Sequence, residues 1–272
     1  MTLLANPEIH RCHFMRDAEI ELPLQDSVVY GPIASRRLGY SLGINLLPLS
    51  YKFCNFDCVY CQYGPTSSKG TGERIKPAVE LLAEIRAAFE KHKQERTPVD
   101  CLTIAGNGEP TLHPQFPALV EGLLSLRDQY YPGVKTGILS NASQVHRKPI
   151  RTALDRLDER YMKLDAGTPE KLREINRSRG HFDFSRTVRA LASMKGIVIQ
   201  TLFVQGSHDN TTEAAVTAWI KTVKKIKPRE VQVYTIDRKP ADPHLRRVPF
   251  EKLQEIADRC QRAAGITAVV YD

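Results

Sequence analysis

The chain has 272 residues, of which 42% are hydrophobic and 26% charged, and a formal net charge of +8. That length and balance suit a globular core and argue against a disordered chain. No run of eighteen apolar residues exists to span a membrane, and the first residues lack the charged-then-apolar order of a signal peptide.

Residues 1–30 read as a mixed, polar extension in which Glu19, Ile20, Glu21 and Leu22 alternate like a short strand. His10, Cys12 and His13 are metal-ligand types with few partners nearby. Residues 30–39 are turn-rich and basic, with Arg36 and Arg37. Residues 41–48 read as a first strand that runs into a cysteine-rich loop, and Gly64, Pro65, Gly70 and Gly72 keep 62–76 irregular. Over 78–95, Leu81, Leu82, Ile85, Ala88 and Phe89 share one helical face. Residues 99–105 read as a buried strand, which makes Cys101 a core residue. The alternation continues with helix 115–128, strand 134–140, helix 149–157, strand 160–164, helix 184–195, strand 197–204, helix 212–226, strand 230–236 and helix 250–264, then an apolar segment at 266–271. Six largely apolar strands alternating with amphipathic helices predict parallel strands buried on both faces. Periodicity alone leaves an open doubly wound sheet and a barrel both standing. No linker is visible, so the chain reads as one domain. It has an extension over 1–30, a core over 31–240, and a C-terminal helix and strand over 241–272.

Cys54, Cys58 and Cys61 stand at C-x3-C-x2-C spacing. Thiolates are the soft ligands that iron–sulfur clusters and zinc prefer. Three ligands leave one metal corner open, whereas a structural zinc needs a fourth and the next cysteine, Cys101, is forty residues away. A disulfide with a spare thiol is the other reading, and six cysteines without secretory context favour a reducing, cytoplasmic setting.

In parallel α/β folds the functional loops lie at the carboxyl ends of the strands. The second strand exits into Gly106-Asn107-Gly108-Glu109-Pro110, where glycines let backbone approach a ligand and Glu109 can accept from an ammonium group. The third exits at Ser140 and Asn141, which suit a ribose or carboxylate or else a simple turn. Lys163 and Asp165 share a face of the fourth. They read either as contacts to a carboxylate and ribose or as a mutual ion pair. Gln200, Gln232 and Tyr234 are further inward-facing candidates. Arg36 and Arg37 flank the first strand, Arg147 follows the third and Arg238 the sixth; together they read as a basic rim suited to a polyanion, against the alternative of scattered solvated charges.

The cysteine spacing with Tyr60 before the last cysteine resembles the signature of the radical S-adenosylmethionine (SAM) enzymes, and Asn107-Gly108-Glu109-Pro110 resembles their GGEP motif. The resemblance implies a partial (β/α)6 TIM-like barrel. It also implies a [4Fe-4S] cluster on Cys54, Cys58 and Cys61 whose open iron chelates SAM. One electron then cleaves SAM to a 5′-deoxyadenosyl radical that abstracts hydrogen from substrate. By the same resemblance Tyr60, Asn107, Gly108, Glu109, Ser140, Asn141, Lys163 and Asp165 are SAM-contact candidates, Asn107 replacing a glycine at positive φ. The electron donor would be a flavodoxin or ferredoxin. The segments 30–39, 106–114 and 234–238 resemble the branch that includes the wyosine-forming tRNA enzymes, which implies RNA, tRNA or another anionic substrate. That branch carries a second cluster on an added cysteine set. Here only Cys12, Cys101 and Cys260 remain, isolated in sequence. A radical SAM activase or maturase acting on a partner protein, an Fe–S electron carrier and a zinc-binding RNA module are the alternatives.

Overall fold

The computed structural model describes residues 22–35, 38–66, 72–180 and 182–271. Four elements open the fold: β1 (Val29–Ser35), β2 (Gly39–Ile44), α1 (Ala78–Gln94) and β3 (Cys101–Ile104). A 3-10 turn at Pro110–Leu112 leads to α2 (Phe116–Tyr130), β4 (Lys135–Ser140), α3 (Lys148–Leu154) and β5 (Glu159–Lys163). Next come α4 (Pro169–Asn176), α5 (Phe184–Ser193), β6 (Val198–Phe203), β7 (Gln205–Gly206) and α6 (Glu213–Ile226). The chain closes with β8 (Glu230–Thr235), β9 (Leu245–Arg246), α7 (Phe250–Ala264) and β10 (Ala268–Tyr271).

The main sheet runs β1-β2-β3-β4-β5-β6-β8-β10, parallel except for β1. Because the parallel strands follow chain order, every right-handed crossover lays its helix on the same face. A doubly wound sheet would reverse that order, so this is the open, barrel-like arrangement. The helix-covered face carries Leu42, Ile44, Leu102, Ile104, Ile138, Met162, Ile199, Phe203, Val231 and Val233, all in the main apolar core. Local signals fix the helix ends: Thr168, Asp183 and Thr212 cap α4, α5 and α6, and Gly265 closes α7 in a left-handed turn.

Two expectations need correction. Residues 30–39 are not only a turn, since β1 pairs antiparallel with β2. Gly31 and Pro32 suggested a loop, but β1 is an edge strand with a register shift between Tyr30 and Ile33, where a proline costs no ladder bond. The boundary at residue 30 therefore falls inside β1. Helix α4 has no counterpart among the elements expected from sequence, although Thr168-Pro169-Glu170 is a start signal of N-cap, first-turn proline and acid. The segment 241–272 adds β10 beside β8, so it completes the sheet. The strand expected around Glu19–Leu22, together with His10, Cys12 and His13, lies outside the described residues, apart from Leu22, which belongs to no strand.

Candidate functional site

The loop after β2 carries the three cysteines, and it is held from several sides. Phe53 N donates to Asn107 O at 2.8 Å, and Glu109 N donates to Phe53 O at 3.0 Å. This short parallel bridge leaves no room for a side chain at Gly108, where a Cβ would stand 1.9 Å from Phe53 O. On the other side the loop pairs with the end of α4. Asp57 N donates to Asn176 O at 3.0 Å and Val59 N to Ile175 O at 3.0 Å. Arg177, in the left-handed region at φ 43°, turns the chain so that Arg179 N reaches Asn55 O at 2.8 Å. Asp242 N, from the loop after β8, donates to Val59 O at 2.8 Å.

Cys54, Cys58 and Cys61 are half-buried free thiols. Burial pushes the Cys54 thiol up to about 12, with Cys58 beside it adding to the effect. Burial likewise lifts Cys58 to about 11, reinforced by Asp165, while a hydrogen bond from Asn176 opposes it. Among the described residues no three His, Cys, Asp or Glu side chains converge as ligands of a single ion do. A cubane has a different requirement, because its cysteines bind different irons.

Glu109 is only 2% exposed. Its Oε1 accepts from Thr111 N at 3.1 Å and Ser140 Oγ at 2.8 Å, and its Oε2 from Asn141 N at 2.6 Å. The Thr111 hydroxyl also donates to Oε1. Burial raises its carboxyl pKa, and those donors oppose the shift. Among the described residues Glu109 has no cationic partner.

Ser140 and Asn141 therefore serve Glu109. Asn141 also reaches the cysteine loop, its Nδ2 donating to Asn55 Oδ1 at 2.9 Å and lying 3.8 Å from Cys54 Sγ. Asn107 is corrected in its role. It is not at positive φ; Gly106 and Gly108 on either side are. Its buried amide donates to Gln25 O at 2.9 Å and Pro48 O at 3.0 Å and accepts from Gln25 N at 2.8 Å. All three bonds go to backbone, so its side chain is a strut that ties the segment before β1 to the loop after β2.

Lys163 and Asp165 pair with each other at 3.0 Å. Lys163 Nζ also donates to Tyr234 OH at 2.8 Å and lies 4.9 Å from the centre of the Tyr60 ring. Burial works against the lysine charge, but Asp165 and Tyr234 outweigh it and raise its pKa. Asp165 further accepts from Leu202 N at 2.9 Å, Asn176 Nδ2 at 2.7 Å and the Tyr60 hydroxyl. Burial and then Asp165 raise the Tyr60 pKa well above normal, so Tyr60 is a neutral donor. Of the two readings of this pair, the structure contains the ion pair, so unlike Glu109 the Asp165 carboxylate already has its cation. Gln200 Nε2 donates to Gln232 Oε1 at 2.9 Å across neighbouring strands.

Asn176 escaped the sequence reading. It is buried, and its Nδ2 lies 3.3 Å from Cys58 Sγ and 3.1 Å from Tyr60 OH, while its Oδ1 has no partner among the described residues. Its only sequence signal was its place at the end of an unrecognised helix. Of the basic rim, Arg238 donates to Gln62 Oε1 at 3.2 Å beside the cysteine loop, and Arg147 is exposed at the start of α3. Arg36 and Arg37 lie outside the described residues. No helix among the described residues is long and apolar enough to cross a membrane.

A family model described as the radical SAM superfamily matches residues 49–218. A UPF0026 protein of Helicobacter pylori is 32% identical over 216 residues, covering 78% of this chain and 67% of that protein. In fold, the chain is similar to the crystal structure of Streptococcus suis SuiB bound to S-adenosylmethionine, with a TM-score of 0.59 and 16% identity over 85% of this chain. It spans 50% of the SuiB chain. It is also similar to archaeal TYW1, with a TM-score of 0.54 and 12% identity, covering 82% of this chain and 72% of that one.

Proposed function

Because this chain belongs to the radical SAM superfamily, whose enzymes use a [4Fe-4S] cluster and SAM, we propose that Cys54, Cys58 and Cys61 hold that cluster, that Glu109 receives the ammonium group of SAM, and that the substrate is an RNA. The observation that carries this reading is the Glu109 carboxylate, enclosed beside Cys54 with every donor supplied except a positive charge. The three thiols fit the cluster in chemistry and number. Buried thiolates are costly alone, as the raised Cys54 and Cys58 values attest, and metal ligation offsets that cost. When bound, cluster and SAM together supply a one-electron cleavage that yields the hydrogen-abstracting 5′-deoxyadenosyl group.

The rest of the work belongs to this chain's side chains. Thr111, Ser140 and the Asn141 amide aim Glu109 and keep it from turning away. The missing side chain at Gly108 brings the cysteine loop against that carboxylate. Asn176 donates toward Cys58 Sγ, the kind of hydrogen bond that tunes cluster potential. Lys163, Asp165 and Tyr234 fix the Tyr60 ring next to the last cysteine. The RNA reading draws on the +8 charge, the exposed Arg147 and Arg238 near the strand exits, and the likeness in fold to archaeal TYW1.

The test is anaerobic reconstitution with iron and sulfide, followed by SAM and dithionite, with 5′-deoxyadenosine quantified with and without bulk tRNA. Product formation stimulated by tRNA is expected. Cys58→Ala should fold, yet lose the brown colour and all SAM cleavage. Full cleavage by that variant would overturn the cysteine assignment, and product formation indifferent to tRNA would overturn the RNA reading alone.

A further inference from the structure

Outside the cysteine site, the described surface has an open groove between α3 and α5. It is lined by His146, Arg151, Arg186, Arg189, Ala190 and Ser193. Four of these six carry or can carry positive charge, and none is a carboxylate.

The groove has one fixed cation and two unengaged ones. Arg151 Nη1 donates to Val145 O at 2.9 Å and His146 O at 3.2 Å, which locks its guanidinium in place. Arg186 and Arg189 are exposed, and neither guanidinium has a hydrogen bond or ion pair with a described residue. They stand three apart on α5, with Ser193 a further turn along, so they share one face. Like charges on neighbouring turns of one helix face repel unless an anion lies between them. His146 Nδ1 lies 3.0 Å from Ser143 O; a carbonyl only accepts, so this nitrogen carries the proton and Nε2 remains for a ligand.

The groove is also tied to the cysteine loop. Ser143, three residues before His146, donates through Oγ to Asn55 Oδ1 at 3.2 Å, and Asn55 adjoins Cys54. A helix that follows a parallel strand starts at that strand's carboxyl end, so the groove begins on the side of the sheet that carries the cysteines.

We infer that this groove is a second, backbone-binding track for the RNA, holding phosphodiester groups outside the cysteine mouth while another part of the same strand enters it. The inference rests on the RNA reading above. Guanidinium forks match phosphate oxygens in pairs. A surface for an acidic protein would need an apolar centre, and here Ala190 is the only apolar lining residue.

The experiment is fluorescence anisotropy of end-labelled bulk tRNA on the full chain, from 0.05 to 0.3 M salt. Three proteins are compared: the parent, Arg186→Gln/Arg189→Gln, and Lys224→Gln/Lys225→Gln. The last pair is exposed on α6, is not part of the groove's lining, and removes the same net charge. The arginine variant should lower the slope of log K against log salt by roughly 1.5 to 2 and weaken binding roughly ten- to thirtyfold at 0.1 M salt. The lysine control should change far less. Tight tRNA binding that falls equally in both variants would overturn the track and leave the RNA reading intact. Absence of tRNA binding by a parent that cleaves SAM would overturn both. Displacement of tRNA by polyglutamate at equal charge concentration would give the groove to an acidic protein and overturn the inference.

Discussion

The two faces of the sheet are equally buried in many places but differ in chemistry. On the helix-covered face, the Thr201 and Thr235 hydroxyls donate to backbone, and Thr201 Oγ1 also accepts from Trp219 Nε1 at 3.0 Å. Thr201 Oγ1 donates to Leu164 O at 2.8 Å, and Thr235 Oγ1 to Phe203 O at 2.9 Å. On the opposite face polar groups bond mainly to one another. Ser41 pairs with Thr103 at 2.7 Å, Gln200 with Gln232 at 2.9 Å, and Lys163 with Tyr234 at 2.8 Å. A side chain bonded to backbone is part of the frame. A side chain bonded to another side chain can change partners when a ligand arrives. The inner face meets the cysteine loop through a separate small cluster, in which Val59 packs with Ile175, Leu202, Val204, Ile236 and Leu245. The outer face holds the fold, and the inner face is available for chemistry.

The sharpest break in that contrast is Phe203→Ala on the helix side. Phe203 is buried edge-on to Trp219, with ring centres 5.2 Å apart. Truncation should cost about 3–5 kcal/mol, read as a lower urea midpoint. Iron bound per folded molecule after reconstitution should stay unchanged. Loss of iron in parallel with stability would mean that the two faces are not separable.

A smaller effect is expected at Gln200, at similar burial on the inner face. Gln200→Leu removes the donor that Gln232 Oε1 accepts from and should cost about 1–3 kcal/mol. Adding Gln232→Leu should recover most of that loss, because replacing both partners with apolar groups of like shape is nearly neutral. A double variant no more stable than the single would show that these amides are framework too.

The same contrast explains what the sequence made legible. The cysteine loop and the Gly106–Glu109 turn are local, and their spacing needs no tertiary knowledge. The outer-face apolar runs gave most helices and parallel strands correctly. The links across the site are long-range. Asn176 meets Cys58 across 118 residues, and Asn107 meets Gln25 across 82, and no local pattern marks either pairing. The sequence puts Lys163 and Asp165 on one face, although β5 ends at Lys163, and the choice between ligand contact and ion pair depends on Tyr60 and Tyr234, which the fold brings in from elsewhere. β1 was obscured because Gly31 and Pro32 signal a turn in general and only an edge position excuses them.

The smallest predicted effect concerns a polar exception on the helix side. His113 is buried, and it joins the starts of α1 and α2. Its Nδ1 accepts from Gln115 N at 3.0 Å, so Nε2 carries the proton and donates to Lys76 O at 2.9 Å. Burial lowers its pKa, and the Lys76 carbonyl only partly opposes that. In the unfolded chain the ring titrates near its ordinary value, roughly 6.5. Between that value and the lowered native one, the unfolded state binds more protons, so stability falls as pH falls. The contribution is complete above about 6.5 and is lost as pH drops through the native pKa. Protonated Nδ1 can no longer accept from Gln115, which is the structural form of that loss. The parent should therefore lose on the order of 1 kcal/mol more than His113→Gln between pH 7.5 and 5, read from paired melting curves. Equal pH slopes would mean that the outer face gives way at this joint without cost, and that its backbone-anchored polar groups are less rigid than the contrast with the inner face requires.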